Sequence, residues 1–381
     1  MAERTDIATV DELHASATKL TGLDDFGVDN DNYREALGVL LDSYRQDAGL
    51  TVLGSKMNRF FLRGALVARL LSESAWKQYP QHAEVAVKRP FFVTGLVRTG
   101  TTALHRLLGA DPAAQGLHMW LAEFPQPRPP RDTWESHPLY RQLDAQFTQH
   151  HEDNPGYTGL HFMAAYELEE CWQLLRQSLH SVSYETLAHL PTYSKWLAQQ
   201  DWTPAYQRHR KNLQLIGLND ADKRWVLKNP SHLFALDALM TTYPDALVIQ
   251  THRPVDTIMA SMCSLAQHTT DGWSTKFVGA QIGTDAMETW SRGLEQFTTA
   301  RAKYNPAQFY DVDYRELIAD PIGTVADIYR KFDIPLTNEA RQAMEDIHAE
   351  SQTGARAPKH SYSLADYGLT AEAVKERFAG L

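Results

Sequence analysis

The residues best suited to chemistry in this chain stand between Arg89 and Pro112, in RPFFVTGLVRTGTTALHRLLGADP. Arg98, Thr99, Gly100, Thr101 and Thr102 combine a fixed positive charge, several hydroxyls and a residue free to turn sharply. Phe91, Phe92, Val93 and Thr94 are bulky or β-branched and predict a short buried strand just before them. Thr101 to Gly109 predicts a helix with Leu104, Leu107 and Leu108 on one face. Strand, glycine-bearing loop and helix, in that order, aim free backbone N–H groups at a phosphate or sulfate. An ordinary structural corner has little use for an Arg set among Thr and Gly. The loop is not of the GxxxxGK[ST] type, because no Lys precedes Thr101.

Other cations fall at comparable places. Trp225 to Lys228 predicts a second strand, Asn229–Pro230 breaks it, and a helix from Ser231 carries Leu233, Phe234, Leu236 and Leu239, with Ser231 as its cap. Ala246 to Gln250 predicts a third strand, running into Thr251, His252 and Arg253 and then a helix from Val255 through Leu265. Phe309 to Tyr314 predicts a fourth strand, and Pro321 to Phe332 a helix after it. This alternation predicts an α/β fold with a mainly parallel sheet. Ligands of such sheets bind outside the carboxyl ends of the strands, where Arg98, Lys228 and Arg253 all fall.

The remaining elements must carry that sheet. Residues 8–80 show helical spacing in Val10, Leu13 and Ala17, in Leu37, Leu40, Leu41 and Tyr44, and in Phe60 to Leu71, which predicts an N-terminal helical subdomain over 1–87. A nucleotide-binding core follows over 88–335. It is interrupted by an insertion at 113–220, and C-terminal helices and a tail occupy 336–381. Prolines predict an irregular stretch over 113–160, whose His118, Trp120, Glu123, Phe124 and Trp134 either line an acceptor pocket or anchor a stiff surface loop. Helices are expected over Phe162–Gln177 and Asp201–Leu218. Glu167 and Glu170 would then share a face as structural acids, and the insertion would roof the acceptor site. Residues 268–284 read as a mobile loop, Asp285 to Tyr304 as a helix, 353–369 as an irregular tail, and Thr370 to Phe378 as a closing helix.

Composition narrows the partners. The 381 residues carry 37 Lys and Arg against 47 Asp and Glu, a formal charge of −10, without the basic stripe of a nucleic-acid binder. Basic clusters inside an acidic chain suit an anionic small molecule. Cys171 and Cys263 lack metal-type spacing and read as buried free thiols of a reducing compartment. No signal-peptide pattern or membrane-length apolar run is visible, so a cytoplasmic protein is expected, which is compatible with peripheral membrane contact. Nothing in the pattern specifies an oligomeric state.

Arg98, Gly100, Thr101 and Thr102 match the RxGTT loop around the 5′-phosphosulfate of sulfotransferases that use 3′-phosphoadenosine 5′-phosphosulfate, and the chain resembles the bacterial members of that superfamily. The resemblance continues in order. Arg253 with Ser261, in RPVDTIMAS, resembles the 3′-phosphate element, and Lys228 with His232, in LKNPSH, the strand end that carries a catalytic Lys and His. YDVDYRELIADP places Tyr314 where the adenine is met, and Arg356 and Lys359 resemble a tail that closes over the 3′-phosphate. It covers about residues 88–335 and part of the tail. It implies a P-loop-like three-layer sandwich, sulfuryl transfer to a small or lipid-like hydroxyl acceptor, and no metal. Arg98 and Lys228 would steady the charge that builds on the leaving oxygen.

The acceptor hydroxyl also needs a base, for which His232, Glu123 and His118 stand open. A P-loop small-molecule kinase is the rival enzyme, but it would need a loop Lys and a magnesium-holding acid. A non-catalytic nucleotide-binding protein is the other alternative, against which the presence of both Arg98 and Lys228 argues.

Overall fold

The computed structural model describes residues 5–153, 163–353 and 362–381. Five strands, β1 (Phe91–Gly95), β2 (Ala114–Gly116), β3 (Arg224–Lys228), β4 (Leu247–His252) and β5 (Phe309–Asp313), form a wholly parallel sheet in the order β2-β3-β1-β4-β5. Every residue of β1 is buried, and successive side chains serve opposite layers. Phe91 and Val93 pack with Val226, Leu247 and Ile249 under α4 (Thr101–Gly109), α14 (Pro321–Lys331) and α15 (Asn338–Thr353). Phe92, Leu227 and Val248 pack on the other face, under α9 (Thr203–Ile216), α10 (Leu236–Thr242), α11 (Val255–Thr269) and α12 (Ala280–Arg301). The chain is thus a three-layer sandwich.

That second face is continuous with the core of the N-terminal helices α1 (Val10–Thr21), α2 (Tyr33–Gln46) and α3 (Val52–Gln78), through Leu37, Leu40, Leu62 and Leu66. The join is partly polar and fully buried. Arg69 of α3 is 0 % exposed, pairs with Asp31 at 2.7 Å and donates to the Gln177 carbonyl of the insertion.

The irregular and loop expectations need correction. Pro138 opens a helix, α6 (Pro138–Asp153), and a short α5 (Met119–Glu123) precedes it. Proline costs nothing at a first helical position, where its missing N–H would have no partner anyway. The helix expected over Phe162–Gln177 shrinks to α7 (Trp172–Leu175), followed by α8 (Pro191–Leu197) further on. Residues 165–167 form a turn instead, closed by the Glu167 N–H on the Ala164 carbonyl at 3.1 Å, and Leu168 bridges to His118, with Met119 and Trp120 donating to the carbonyls of Glu167 and Ala165 and Glu169 donating to Leu117. Asn229, not Ser231, caps the turn after β3, its side chain accepting from the Ser231 N–H at 3.2 Å. The stretch 270–279 is tied down: Thr51 N–H donates to Trp273, Thr275 N–H to Gly49, and Trp273 and Phe277 are buried. Beyond β5 a one-turn-and-a-half helix, α13 (Tyr314–Ala319), begins at Tyr314 itself, and α16 (Ala371–Arg377) closes the chain with Thr370 as its cap.

Candidate active site

Parallel register brings the cationic positions together. Val93 lies opposite Lys228 and Gly95 opposite Thr251, so the loop after β1, the end of β3 and the end of β4 share one rim. The order of strands makes β1 the centre, with β3 and β4 on either side, which is where parallel sheets open a crevice.

The loop is shaped by the absence of side chains. A Cβ on Gly95 (φ +140°) would sit 2.6 Å from the Thr251 carbonyl oxygen, so only glycine lets β1 pass β4 there. Gly100 (φ +92°) precedes α4, and a Cβ on it would press on Leu317 and Tyr314 of α13 at 3.0 and 3.1 Å. No side chain caps α4, which leaves its first-turn N–H groups directed at whatever binds the rim. Arg98 itself takes a left-handed φ of +71°, a strained state for a residue with a side chain.

Arg98 Nε donates to Ser261 Oγ at 3.1 Å, and Arg253 donates to the Arg98 carbonyl at 3.2 Å. The Arg253 guanidinium lies over the Tyr314 ring, 4.2 Å from its centre. Four sequence-predicted positions therefore meet in one cluster. Among the described residues no carboxylate pairs with Arg98 or Arg253, an arrangement that suits an anion of two or more charges. Thr99 turns away from it: its hydroxyl is buried and donates to the Leu96 carbonyl at 2.6 Å beside Thr251 Oγ1, so it braces the loop. Thr101 is buried, whereas Thr102 is exposed and its Oγ1 accepts from Lys228 Nζ at 3.5 Å. Arg356 and Lys359 lie outside the described residues, as does Phe162.

Lys228 is 4 % exposed and forms an ion pair with Glu170. The Cys171 N–H donates to the Lys228 carbonyl at 3.0 Å, which fastens this acidic segment along the end of β3. Glu169 is buried next to it, and burial together with the charge of Glu170 pushes its carboxyl up to about 7, against the pull of Lys228. Glu123, at the end of α5, is held 2.7 Å from the guanidinium of Arg176. Glu170, Glu169 and Arg176 were not singled out as site residues from sequence. The available signal was the apolar Leu168 between acids, whose side chain fills the space left by Gly109 and Gly116.

His232 sits elsewhere. The turn after Asn229–Pro230 carries it into the helical layer, where it is 0 % exposed. There Nδ1 meets Tyr206 Oη at 2.7 Å and the ring stands edge-on to Phe92 at 5.0 Å. Burial holds it well below the usual imidazole range. His118 is tied through Nδ1 to the Tyr166 carbonyl at 2.8 Å and packs edge-on against Trp134. Trp120 and Trp134 are fully buried in one aromatic cluster with Tyr140, so they are core rather than pocket wall. Cys171 and Cys263 are buried free thiols. Among the described residues no group of His, Cys, Asp and Glu is arranged to hold a metal ion, and no helix is long and apolar enough to cross a membrane.

The profile described as Sulfotransferase family matches residues 90–339 of this chain. The crystal structure of sulfotransferase STF1 from Mycobacterium tuberculosis H37Rv is 81 % identical, with a TM-score of 0.94 over 99 % of this chain and 100 % of that one. Sulfotransferase STF9 from Mycobacterium avium is 26 % identical, with a TM-score of 0.85 over 100 % of this chain and 96 % of that one. The omega-hydroxy-beta-dihydromenaquinone-9 sulfotransferase Stf3 of Mycobacterium tuberculosis is 24 % identical over 264 residues, 63 % of this chain and 62 % of that protein. This chain thus aligns with less than two thirds of that relative's length.

Proposed function

The chain belongs to the sulfotransferase family, and from that premise we propose that it transfers the sulfuryl group of 3′-phosphoadenosine 5′-phosphosulfate to a hydroxyl of a lipid-like acceptor by in-line displacement. The observation that carries this reading is the pair of carboxylate-free guanidinium groups, Arg98 and Arg253, at the uncapped start of α4, beside a buried Lys228 held by Glu170.

The 5′-phosphosulfate would lie on the loop from Gly95 to Thr102, where first-turn N–H groups and the Thr102 hydroxyl face outward. The 3′-phosphate suits Arg253 and Ser261, and the adenine suits the Tyr314 ring. Arg356 and Lys359 complete the grip in this reading. In the transfer step the acceptor oxygen forms a bond to sulfur while the bond from sulfur to the bridging oxygen breaks. The bisphosphate leaves with that electron pair, and Lys228, with Arg98, meets the negative charge growing on it. No metal is needed for this.

The acceptor proton requires a base within reach of sulfur. Glu170 fits that role better than the candidates named from sequence, because its carboxylate already touches Lys228 Nζ, the group assigned to the leaving oxygen. His232 is sealed between Phe92 and Tyr206, and Glu123 is paired with Arg176 rather than with Lys228. The hydroxylated menaquinone in the name of the Stf3 relative supports a lipid-like acceptor.

The test uses labelled donor with a lipid extract, followed by mass spectrometry, and thermal denaturation with adenosine 3′,5′-bisphosphate. Label in a hydroxylated lipid and a raised melting temperature are expected. Protection by magnesium ATP without protection by the bisphosphate would overturn the reading.

A further inference from the structure

We propose that the N-terminal half of α3 is a docking face for an anionic lipid bilayer. This deepens the lipid-acceptor reading and rests on it for its purpose, although the docking itself can be measured without any reaction.

The chain is acidic overall, yet residues 48–72 contain no Asp or Glu, and the first turns of α3 carry Lys56, Arg59 and Arg63. Two large apolar side chains stand out on the same stretch, Leu53 at 45 % and Phe60 at 53 % exposed. Lys56, Phe60 and Arg63 recur at helical spacing, so basic and apolar groups share one side. The Arg63 guanidinium lies 5.8 Å from the Phe60 ring centre. No carboxylate among the described residues pairs with Lys56 or Arg63, whereas Arg59 is engaged by Asp6 at 3.9 Å. Asp6 is exposed, and Asp271 is a second nearby exposed acid, in the loop that packs on Leu53 and Thr51.

A paired pattern of this kind matches a bilayer surface. Aromatic and aliphatic groups enter the headgroup boundary while Lys and Arg meet anionic lipids. Beneath the face, Phe61 stacks on the buried Trp273 at 5.9 Å, so the helix cannot easily fold its apolar groups inward. A symmetric dimer through this face would set its own cations against each other, which disfavours a second copy as the occupant.

Behind the face, Gly64, one turn beyond Phe60, leaves room for Arg176: a Cβ there would stand 3.7 Å from Nη1, in contact with the buried guanidinium that holds Glu123.

The test is co-sedimentation of the full chain, without donor, with vesicles of phosphatidylcholine alone or with added phosphatidylglycerol. Binding is expected only with the anionic vesicles, about fivefold weaker for Lys56→Gln and again for Arg63→Gln, as loss of one cation each implies. Phe60→Asp should abolish it. Lys56 and Phe60 are exposed and Arg63 is half-exposed, so melting temperature should not move, and transfer to a short, water-soluble alcohol should persist in Phe60→Asp. Equal binding to neutral and anionic vesicles, no binding at all, or concentration-dependent self-association abolished by Phe60→Asp would each overturn the proposal. Persistent transfer to the soluble alcohol alongside any of these results would leave the sulfuryl-transfer reading standing.

Discussion

The two walls of the active site are built in opposite ways. The proposed donor wall, Arg98, Ser261, Arg253 and Tyr314, is cationic, solvent-facing and short of counter-charge. The other side, Glu123, Glu169, Glu170 and Arg176, is half-buried to buried and neutralised, Glu123 by Arg176 and Glu170 by Lys228. An unneutralised cluster stores affinity for an anion, because nothing in the protein competes for it. A paired cluster stores geometry instead, since breaking any pair leaves a buried charge uncompensated. In the proposed reading binding and proton handling are thus separated, and Lys228 is the residue that links the two.

Substitutions at the junction should break this division most severely. Lys228→Ala is expected to lower turnover by about a thousandfold while bisphosphate affinity stays within about tenfold, as loss of charge stabilisation at the leaving oxygen predicts. Single-turnover rates with saturating donor and calorimetric titration of the bisphosphate check the two halves. Turnover that survives would mean that Lys228 serves only the wall. Glu170→Gln should cost about a hundredfold in turnover with little change in donor affinity. A pH–rate profile whose acid limb stays in place in that variant would point to another base. Arg253→Ala acts on the donor wall alone. It should weaken bisphosphate binding by about ten- to a hundredfold, the worth of a charge-assisted hydrogen bond, with turnover at saturation nearly intact. Unchanged donor affinity would place the 3′-phosphate elsewhere.

The same contrast explains what could be read from the chain. The loop of the proposed donor wall was legible because its parts are local. A strand, a turn and a helix start lie within about a dozen residues, and the sheet's parallel register does the rest. Even there, Thr99 turned inward, since hydroxyl chemistry does not reveal which way a loop residue points. The second wall depends on partners far apart in sequence, which no local pattern specifies. Glu167, Glu169 and Glu170 were visible as an acidic run, but helical spacing would send Glu167 and Glu170 the same way. In the turn that forms instead, Glu167 meets Arg106, and Glu170 beyond it meets Lys228. His232 misled in the converse manner. Proximity to Lys228 in sequence suggested proximity in space, whereas the Pro230 turn sends the ring through to the opposite layer, against Phe92.

Acid titration should sharpen the comparison, with the smallest expected effect. Burial holds the imidazoles of His105 and His209 down at about 3, and that of His232 well below its ordinary value, so the unfolded chain takes up these protons first. Stability is then full above pH 6.5 and falls as pH drops, by about 1.4 kcal/mol per pH unit for each histidine. Glu169 works with the opposite sign. Its folded carboxyl holds a proton up to about 7, above the ordinary 4.5, so it adds stability as pH falls between those values. One carboxyl therefore offsets about one histidine over that range. Glu169→Gln removes the offset, and denaturant unfolding at pH 7, 6 and 5 should show a loss steeper by about 1.4 kcal/mol per pH unit than in the unaltered chain. Parallel slopes would mean that Glu169 titrates alike in both states, and the second wall would then be less enclosed than its pairing indicates.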